Sequence, residues 1–236
     1  MHLESTSFSE KKVAIMQPYL FPYLGYFQLI HAADYFVFYD DVQYKKRGWI
    51  NRNQILVNGS PYLFTLPILK HDFNSKINET VCKIDNKWKG KFLKTLNRNY
   101  KKLKSCEEVV HIVESCLPEG EQKISEVAKN SVIACCQYIG INKNFFLSSE
   151  LVPSFIELSR EDRLKKITKH FSSNIYLNLP GGRDLYCKKN FFNSGLDLLF
   201  IKKNFNFSGS DLSIIDTMMR YDQDSINQFV SSYHLE

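Results

Sequence analysis

Short apolar runs and longer amphipathic stretches alternate along this chain, and the two periods predict different elements. Val13–Met16 is an apolar run bounded by turn residues, which predicts a buried strand. "YFQLIHAA" (26–33) has helical spacing, with Phe27, Ile30 and His31 as neighbours on one face. "YFVFY" (35–39) predicts a second buried strand, ended by the pair Asp40-Asp41. Strand, loop, helix and strand in that order open a βαβ unit, and so a mostly parallel sheet.

The middle of the chain changes period. "NQILVNGSPYLFTLPIL" (53–69) carries an Asn58-Gly59 turn signal between two strand-like runs, which predicts a β-hairpin. "INETVCKI" (77–84) alternates and predicts one more strand. "NKWKGKFLKTLNRNYKKL" (86–103) predicts a helix with Trp88, Phe92 and Leu96 in one row and Lys87, Lys91, Lys94, Arg98 and Lys101 in a basic row beside it. Glu107–Leu117 and Gly120–Ile139 read as two further helices, the second packing Ile124, Val127, Ser131, Val132 and Cys135 and stopping near Gly140. Alternation then returns. "FFLSSE" ends a strand, and Ser159-Arg160-Glu161-Asp162 reads as a capped helix start, with Leu164, Ile167 and Phe171 as the apolar face. "NIYLNL" (174–179) and "LDLLFI" (196–201) are further strands, the second followed by a helix containing "LSIIDTMMRY" (212–221). The expected fold is α/β: a mostly parallel sheet with flanking helices, in one domain over 1–236. Its sheet-forming halves are about 11–52 and 144–236, with a hairpin and helical insertion over about 53–143.

Composition narrows the chemistry more than the fold. A net charge of +6 favours anionic partners, but a lysine-rich helix face is ordinarily a solvated one, which places nucleic acid last among them. The six cysteines form no C-x-x-C pair and no zinc spacing, and read as reduced, buried thiols of a cytoplasmic protein. The segment "MHLESTSFSEKK" is polar and lacks the apolar core of a signal peptide, and no apolar run reaches the length of a membrane span. The histidines show no H-x-x-x-H or H-E pattern, and neither a P-loop nor a G-x-S-x-G elbow occurs.

Three stretches carry candidate chemistry. "QPYLFPYLGY" (17–26) leaves the first strand, where ligands of parallel sheets bind. Gly25 permits a close backbone approach at a helix start, and Tyr19, Phe21 and Tyr23 either wall a ligand site or plug the top of the sheet. "YDDVQYKKRGWINRN" (39–53) offers Asp40 and Asp41 to a metal, a hydroxyl or an amine, and Arg47 or Arg52 to a phosphate or carboxylate. Its lysines read as solvated, whereas Trp49, Asn51 and Asn53 among the charges read as a pocket frame. "NLPGGRDLYCKKNFF" (178–192) follows another strand. Gly181-Gly182 there is either a tight turn free to take positive φ or part of an anion site with Arg183 and Lys188 or Lys189. His31 reads as a packed or capping histidine. Asp216, inside an apolar run, needs a partner if buried and reads as a brace.

"IMQPYLFPYLGYFQLIHAADYFVFYDDVQYKKRGWINRN" closely resembles the signature of the WbqC-like family, found among bacterial surface-polysaccharide genes. The likeness continues through "KINETVCKIDNKWKGKFLKTLNRNY", "SREDRL", "YLNLPGGRDLY" and "LSIIDTMM", so it spans nearly the whole chain. It implies a transferase that couples an aminoacyl (glycyl among them) or acyl group to an amino sugar, nucleotide-linked, in surface-polysaccharide biosynthesis. The alternative it leaves is a non-catalytic nucleotide-sugar-binding protein, or a partner of a glycan-assembly enzyme. Motif positions map onto Gln17, Pro18, Tyr19, Pro22, Gly25, Tyr26, Asp40, Asp41, Trp49, Asn51 and Arg52, and in the second half onto Asp162, Arg163, Gly181, Gly182, Leu185, Tyr186 and Asp216. The first loop also sits where nucleotidyltransferases of Rossmann-like fold carry H-x-G-H. Here "PYLGY" (22–26) keeps the glycine and lacks both histidines.

On this reading Asp40 or Asp41 is the general base, and Gln17, Tyr19, Tyr23, Gly25, Tyr26, Arg47, Trp49, Asn51, Arg52, Gly181, Gly182 and Tyr186 bind substrate or nucleotide. No metal site and no cofactor is fixed by the residues. ATP with Mg²⁺ is the pair that an activation step would call for. Whether the protein is an enzyme, and in which oligomeric state, stays open at this point.

Overall fold

β1 (Lys12–Met16) runs into α1 (Leu24–Ala32) and returns as β2 (Tyr35–Phe38), parallel to β1 with Val13 opposite Tyr35 and Met16 opposite Phe38. The computed structural model describes residues 11–69, 72–151, 158–204 and 209–236. The polar segment over residues 1–10, taken above to lack a leader, lies outside them. On α1, Phe27 and Ile30 are buried as the spacing predicts. His31 is exposed and its Nδ1 lies 3.1 Å from the hydroxyl of Tyr233, so it packs on a surface ring rather than in the core.

The insertion then leaves the sheet. β3 (Arg52–Val57) and β4 (Ser60–Thr65) form the predicted hairpin around Asn58 and Gly59, both at positive φ, as a tight two-residue turn requires. β5 (Val81–Ile84) pairs antiparallel with β6 (Gly120–Lys123). That pairing corrects the expectation of one helix over 120–139. Gly120 takes φ +98 and starts a strand, and α4 (Ile124–Ile139) begins only after it. Between the two strands lie α2 (Asn86–Tyr100), N-capped by Asp85, and α3 (Cys106–Ser115). Burial of Phe92, Leu96 and Tyr100 seats α2, each worth about 1.5–3 kcal/mol. α4 ends at Gly140 in the left-handed conformation.

The chain returns with β7 (Asn144–Leu147), α5 (Ser148–Leu151), α6 (Arg160–His170), β8 (Ile175–Asn178), α7 (Lys188–Phe192), β9 (Asp197–Lys203), α8 (Ile214–Arg220), α9 (Gln223–Ser231) and β10 (Tyr233–Leu235). Ser159 caps α6 by accepting from the Asp162 amide at 3.2 Å, as predicted. The six-stranded sheet has the order β10-β9-β8-β1-β2-β7, and all neighbours are parallel except β10 with β9. This antiparallel edge strand was not anticipated, because "YHL" is too short to show a period. Both faces are covered, which is why the strands are continuously apolar. Val13, Ile15, Val37, Leu198 and Phe200 pack against Leu164 and Ile167 of α6 and Phe191 of α7. Ala14, Phe36, Phe38 and Leu177 pack toward α1, α4 and α9.

Asp216 is buried and partnered, as its setting required. Its carboxylate accepts from the Tyr100 hydroxyl and from Arg220 Nε at 2.8 Å, and so ties α8 to α2.

Candidate functional site

β1 lies at the point where the strand order reverses. The chain moves outward from β1 through β2 to β7, then comes back to β1's other side as β8 and continues to β9. Successive loops therefore part at the carboxyl ends of β1 and β8, the position at which open α/β sheets have their ligand crevice. The loop of residues 17–23 borders it on one side and the segment 178–186 on the other. Tyr186 comes close enough for its charge to bear on Tyr19: burial, and then Tyr186, raise the Tyr19 hydroxyl's pKa.

The first loop is held from four elements. Leu20 N donates to Trp49 O at 3.2 Å, and Phe21 N to Ser131 Oγ on α4 at 2.9 Å. Asn53 Nδ2 on β3 reaches Leu20 O at 3.1 Å and Phe21 O at 2.8 Å. Ser213 Oγ also donates to Phe21 O, and Ile214 N to Pro22 O, both at 2.8 Å. Phe21 is driven to φ +43 with its ring fully buried. Of the two readings offered for this loop, Leu20, Phe21 and Tyr26 are plug. Tyr26 is not a pocket residue: it has no exposed surface, and its hydroxyl donates to Gln17 O at 2.8 Å. Tyr19 and Tyr23 are half-buried and keep part of their rings at the surface. The space above Gly25 is filled by Tyr23, whose Cε2 lies 2.5 Å from where a Cβ would stand. The glycine thus accommodates a ring of the protein itself. Tyr23 leaves the start of α1 without a side-chain cap, and no acid occupies its first turn.

Asp40 and Asp41 end β2 beside the start of α5. Asp40 Oδ1 accepts from Ser148 Oγ and Ser149 N, both at 3.0 Å. Its Oδ2 accepts from Ser149 Oγ at 2.7 Å and Asn78 Nδ2 at 3.2 Å. Ser149 N, Ser149 Oγ and Asn78 Nδ2 hold this carboxylate whichever way the Ser148 proton points, so Asp40 is the more fully bound of the pair. Asp41 is bound differently. One oxygen accepts from Ser148 Oγ and the other pairs with Arg163 Nη2. That leaves acceptor capacity on each oxygen. The two carboxylates converge on one Ser148 hydroxyl, which has a single proton to give. Arg163 is buried and lies 4.9 Å over the Tyr39 ring, and among the described residues its buried Nε has no hydrogen-bond partner. Nor, among them, has the buried Asn78 Oδ1. Burial pushes the Tyr39 hydroxyl up to about 12, against the pull of Arg163.

After β8 the glycines behave otherwise than expected. Neither takes positive φ; both lie in a 3₁₀ helix, Pro180–Leu185. Gly182 is buried against Asn178, whose Nδ2 lies 2.4 Å from where a Cβ would stand, while Gly181 faces open space. Arg183 pairs with Glu236, and Tyr186 packs edge-on against Tyr176 and Phe191.

The remaining predicted residues gather elsewhere. Arg47, Asn51 and Arg52 line a cavity of about 440 Å³ with Tyr44, Lys46 and Leu66, on the insertion side. Asn51 is a brace there: it accepts from the Tyr44 hydroxyl at 2.9 Å and donates to Leu66 O at 2.8 Å. Arg52 donates to the carbonyls of Gly48 and Arg47, and its guanidinium lies 5.6 Å from the centre of the exposed Trp49 ring. Among the described residues no group of three or more His, Cys, Asp or Glu could hold a metal ion.

The sequence model of the WbqC-like protein family matches residues 17–228. This chain belongs to the WbqC-like family. "Uncharacterized protein Rv1507c" of Mycobacterium tuberculosis is 33% identical over 179 residues, which is 73% of this chain and 74% of that protein. No solved structure matches the chain. Residues singled out in both halves of the sequence lie together at the carboxyl ends of neighbouring strands: Gln17–Tyr19 after β1, Asp40–Asp41 after β2 with Arg163 paired to Asp41, and Gly181–Tyr186 after β8. Sequence reasoning missed Tyr39, Asn78, Ser148 and Ser149. The two serines directly after an apolar run, in "FFLSSE", were the available signal.

Among the cysteines, Cys187 is exposed, which corrects the expectation of buried thiols throughout. Burial pushes the Cys82 and Cys116 thiols up to about 11. No helix among the described residues is long and apolar enough to cross a membrane.

Proposed function

We propose that this WbqC-like protein binds an anionic, nucleotide-linked amino sugar in the crevice between β1 and β8, and transfers an aminoacyl or acyl group to its amine. What supports this best is that the loops after β1 and β8, which carry Gln17, Tyr19, Tyr23 and Tyr186, flank the strand-order reversal of a mostly parallel α/β sheet, where ligands of such sheets bind. Gln17, Tyr19, Tyr23 and Tyr186 line the acceptor; the three tyrosine hydroxyls, protonated at neutral pH and raised further by burial, serve as donors. The Gly181-Gly182 turn holds the phosphates, whereas Arg47 and Arg52, which line the separate cavity on the insertion side, take no part. Asp41 is the base. The amine's lone pair attacks the acyl carbonyl, a C–N bond forms, the donor's leaving group departs, and the amine proton passes to Asp41. Asp40 positions Ser148 and Ser149 instead.

The test is a pair of measurements on the full chain. A nucleotide-linked amino sugar should raise the melting temperature, and with an acyl donor present mass spectrometry should find the acylated sugar. Asp41→Asn should keep the thermal shift and lose turnover by about a hundred-fold or more. Gln17→Ala, away from the buried ion pair, should weaken the shift without unfolding the protein. A chain that gives no shift with any nucleotide-linked sugar overturns the reading.

The second reading is a non-catalytic nucleotide-sugar-binding protein of a glycan-assembly system. One observation favours it: both carboxylates already serve as acceptors within the fold. It predicts the thermal shift without turnover for any acyl donor.

A further inference from the structure

The chain's positive charge is not spread over its surface. Residues 86–105 hold eight of the 31 Lys and Arg and none of the 25 Asp and Glu, so the rest of the chain is slightly acidic. The net charge of +6 thus belongs to α2 and the turn that follows it. Lys87, Lys91, Lys94, Arg98 and Lys101 recur at helical spacing and form one stripe about 21 Å long. None of these five, nor Lys102, makes an ion pair among the described residues. Lys89, off the stripe, pairs with Glu114 at 3.9 Å.

An ordinary solvated face does not look like this. Like charges three and four residues apart destabilise a helix, and the other charged helices here offset them. Lys129 pairs with Glu126 on α4, and Lys165 with Glu161 on α6. The opposite face of α2 is committed to the core through Phe92, Leu96 and Tyr100, so the stripe is presented outward on a fixed support. At its end, Arg98, Lys101 and Lys102 join Arg220 and Asn58 around a cavity of about 360 Å³ whose lining contains no carboxylate. We propose that the outer face of α2 docks on an anionic lipid bilayer, with the stripe against the surface and a phosphate head group in that end cavity.

The chemistry separates this partner from a nucleic acid. Binding of single strands relies on exposed rings for base stacking. Here Trp88 is half-buried, with its indole N–H donating to Thr65 O at 2.9 Å, and Tyr100 is buried. The stripe is mostly lysine, a mobile point charge suited to a diffuse negative surface, rather than the forked arginine that reads phosphates and bases. With no free apolar face, α2 adsorbs without inserting, so the attachment is electrostatic and reversed by salt.

The test is co-sedimentation of the full chain with vesicles of phosphatidylcholine, with and without phosphatidylglycerol. The protein should pellet only with the anionic vesicles at low ionic strength and be released by about 0.5 M salt. Lys87→Gln/Lys91→Gln/Lys94→Gln should weaken binding by about ten-fold or more, whereas Lys169→Gln/Lys202→Gln should leave it unchanged. The triple variant should unfold at no lower temperature than the parent, since it removes repulsion. Equal pelleting with neutral and anionic vesicles, or wild-type binding by the triple variant, overturns the proposal. So does binding to an oligonucleotide at the same salt while the vesicles stay bare. None of these outcomes bears on the crevice, which lies on other residues.

Discussion

The two loops that border the crevice are built on opposite plans. The loop after β1 is a fixed part of the core: Leu20 and Phe21 are wholly buried, and its amides and carbonyls are bound by Trp49, Asn53, Ser131, Ser213 and Ile214. The loop after β8 lies on the surface, with Gly181, Arg183, Asp184 and Leu185 exposed, and is steadied by the Asn178 side chain and the Arg183–Glu236 pair. One wall is set when the protein folds, and the other has room to adjust. A site built this way can hold a ligand's position by the first wall and close on it with the second. The difference also assigns a role to the insertion. Trp49, Asn53 and Ser131 all belong to residues between β2 and β7, so the excursion from the sheet fastens the first loop from behind.

The sharpest way to break the contrast is Asn53→Ala. It removes both donor bonds to Leu20 O and Phe21 O and leaves a buried gap behind the loop. We expect a loss of about 2–4 kcal/mol in chemical denaturation. Loss of less than about 1 kcal/mol would show that Ser213 and Ser131 suffice, and that the loop is less fixed than its hydrogen bonds imply.

Next comes Gly182→Ala on the other wall. Its Cβ would meet Asn178 Nδ2 at 2.4 Å, and the amide must turn away, releasing the Leu179 N–H that its oxygen accepts. A destabilisation of about 1–3 kcal/mol should result, and the double variant with Asn178→Ala should lose less than the sum of the two singles. Strict additivity would mean that Gly182 is constrained by something other than Asn178.

These two substitutions also mark what could be read without coordinates. The parallel strands, the Asn58-Gly59 hairpin and the Ser159 cap follow from local pattern, because each depends on neighbours within a few residues. The Asn53 bonds join positions 32 and 33 residues apart, and Ser131 meets Phe21 across 110. No period encodes such pairings, so Asn53 showed itself only as a polar residue out of place beside Trp49. Gly120–Lys123 misled for a related reason. The strand exists because Val81–Ile84 is there to pair with it, and nothing in "GEQK" is apolar. Asp40 and Asp41 stood out as a pair at a strand end. That Asp40 is held by Ser149 and Asn78 while Asp41 pairs with Arg163 depends on where α5 and α6 arrive.

A smaller effect should appear at high pH, where the tyrosines behind the crevice report on its dryness. The Tyr39 hydroxyl is pushed up to about 12 by burial, from an ordinary value near 10. Between these values the unfolded chain gives up a proton that the folded protein keeps. Stability should therefore be flat in this respect below about pH 10 and fall as the pH rises toward 12, by about 1–2 kcal/mol. Tyr39→Phe should flatten that decline in denaturation measured across the range. An unchanged slope would mean that water reaches the ring edge in solution.

The smallest change sharpens the comparison most. Gly181 sits one residue from Gly182, in the same 3₁₀ turn, with no positive φ and nothing within 4 Å of a Cβ. Nothing in the fold requires glycine there. Gly181→Ala should leave the denaturation midpoint unchanged or raise stability by about 0.4–1 kcal/mol, through a less flexible unfolded chain. If the ligand-induced thermal shift survives in this variant, the adjustable wall works through side chains such as Tyr186, and the second glycine only shortens the turn. If the shift is lost while stability holds, the ligand comes against the Gly181 backbone. Glycine would then stand at that position because of the ligand, just as Gly182 stands where it does because of Asn178.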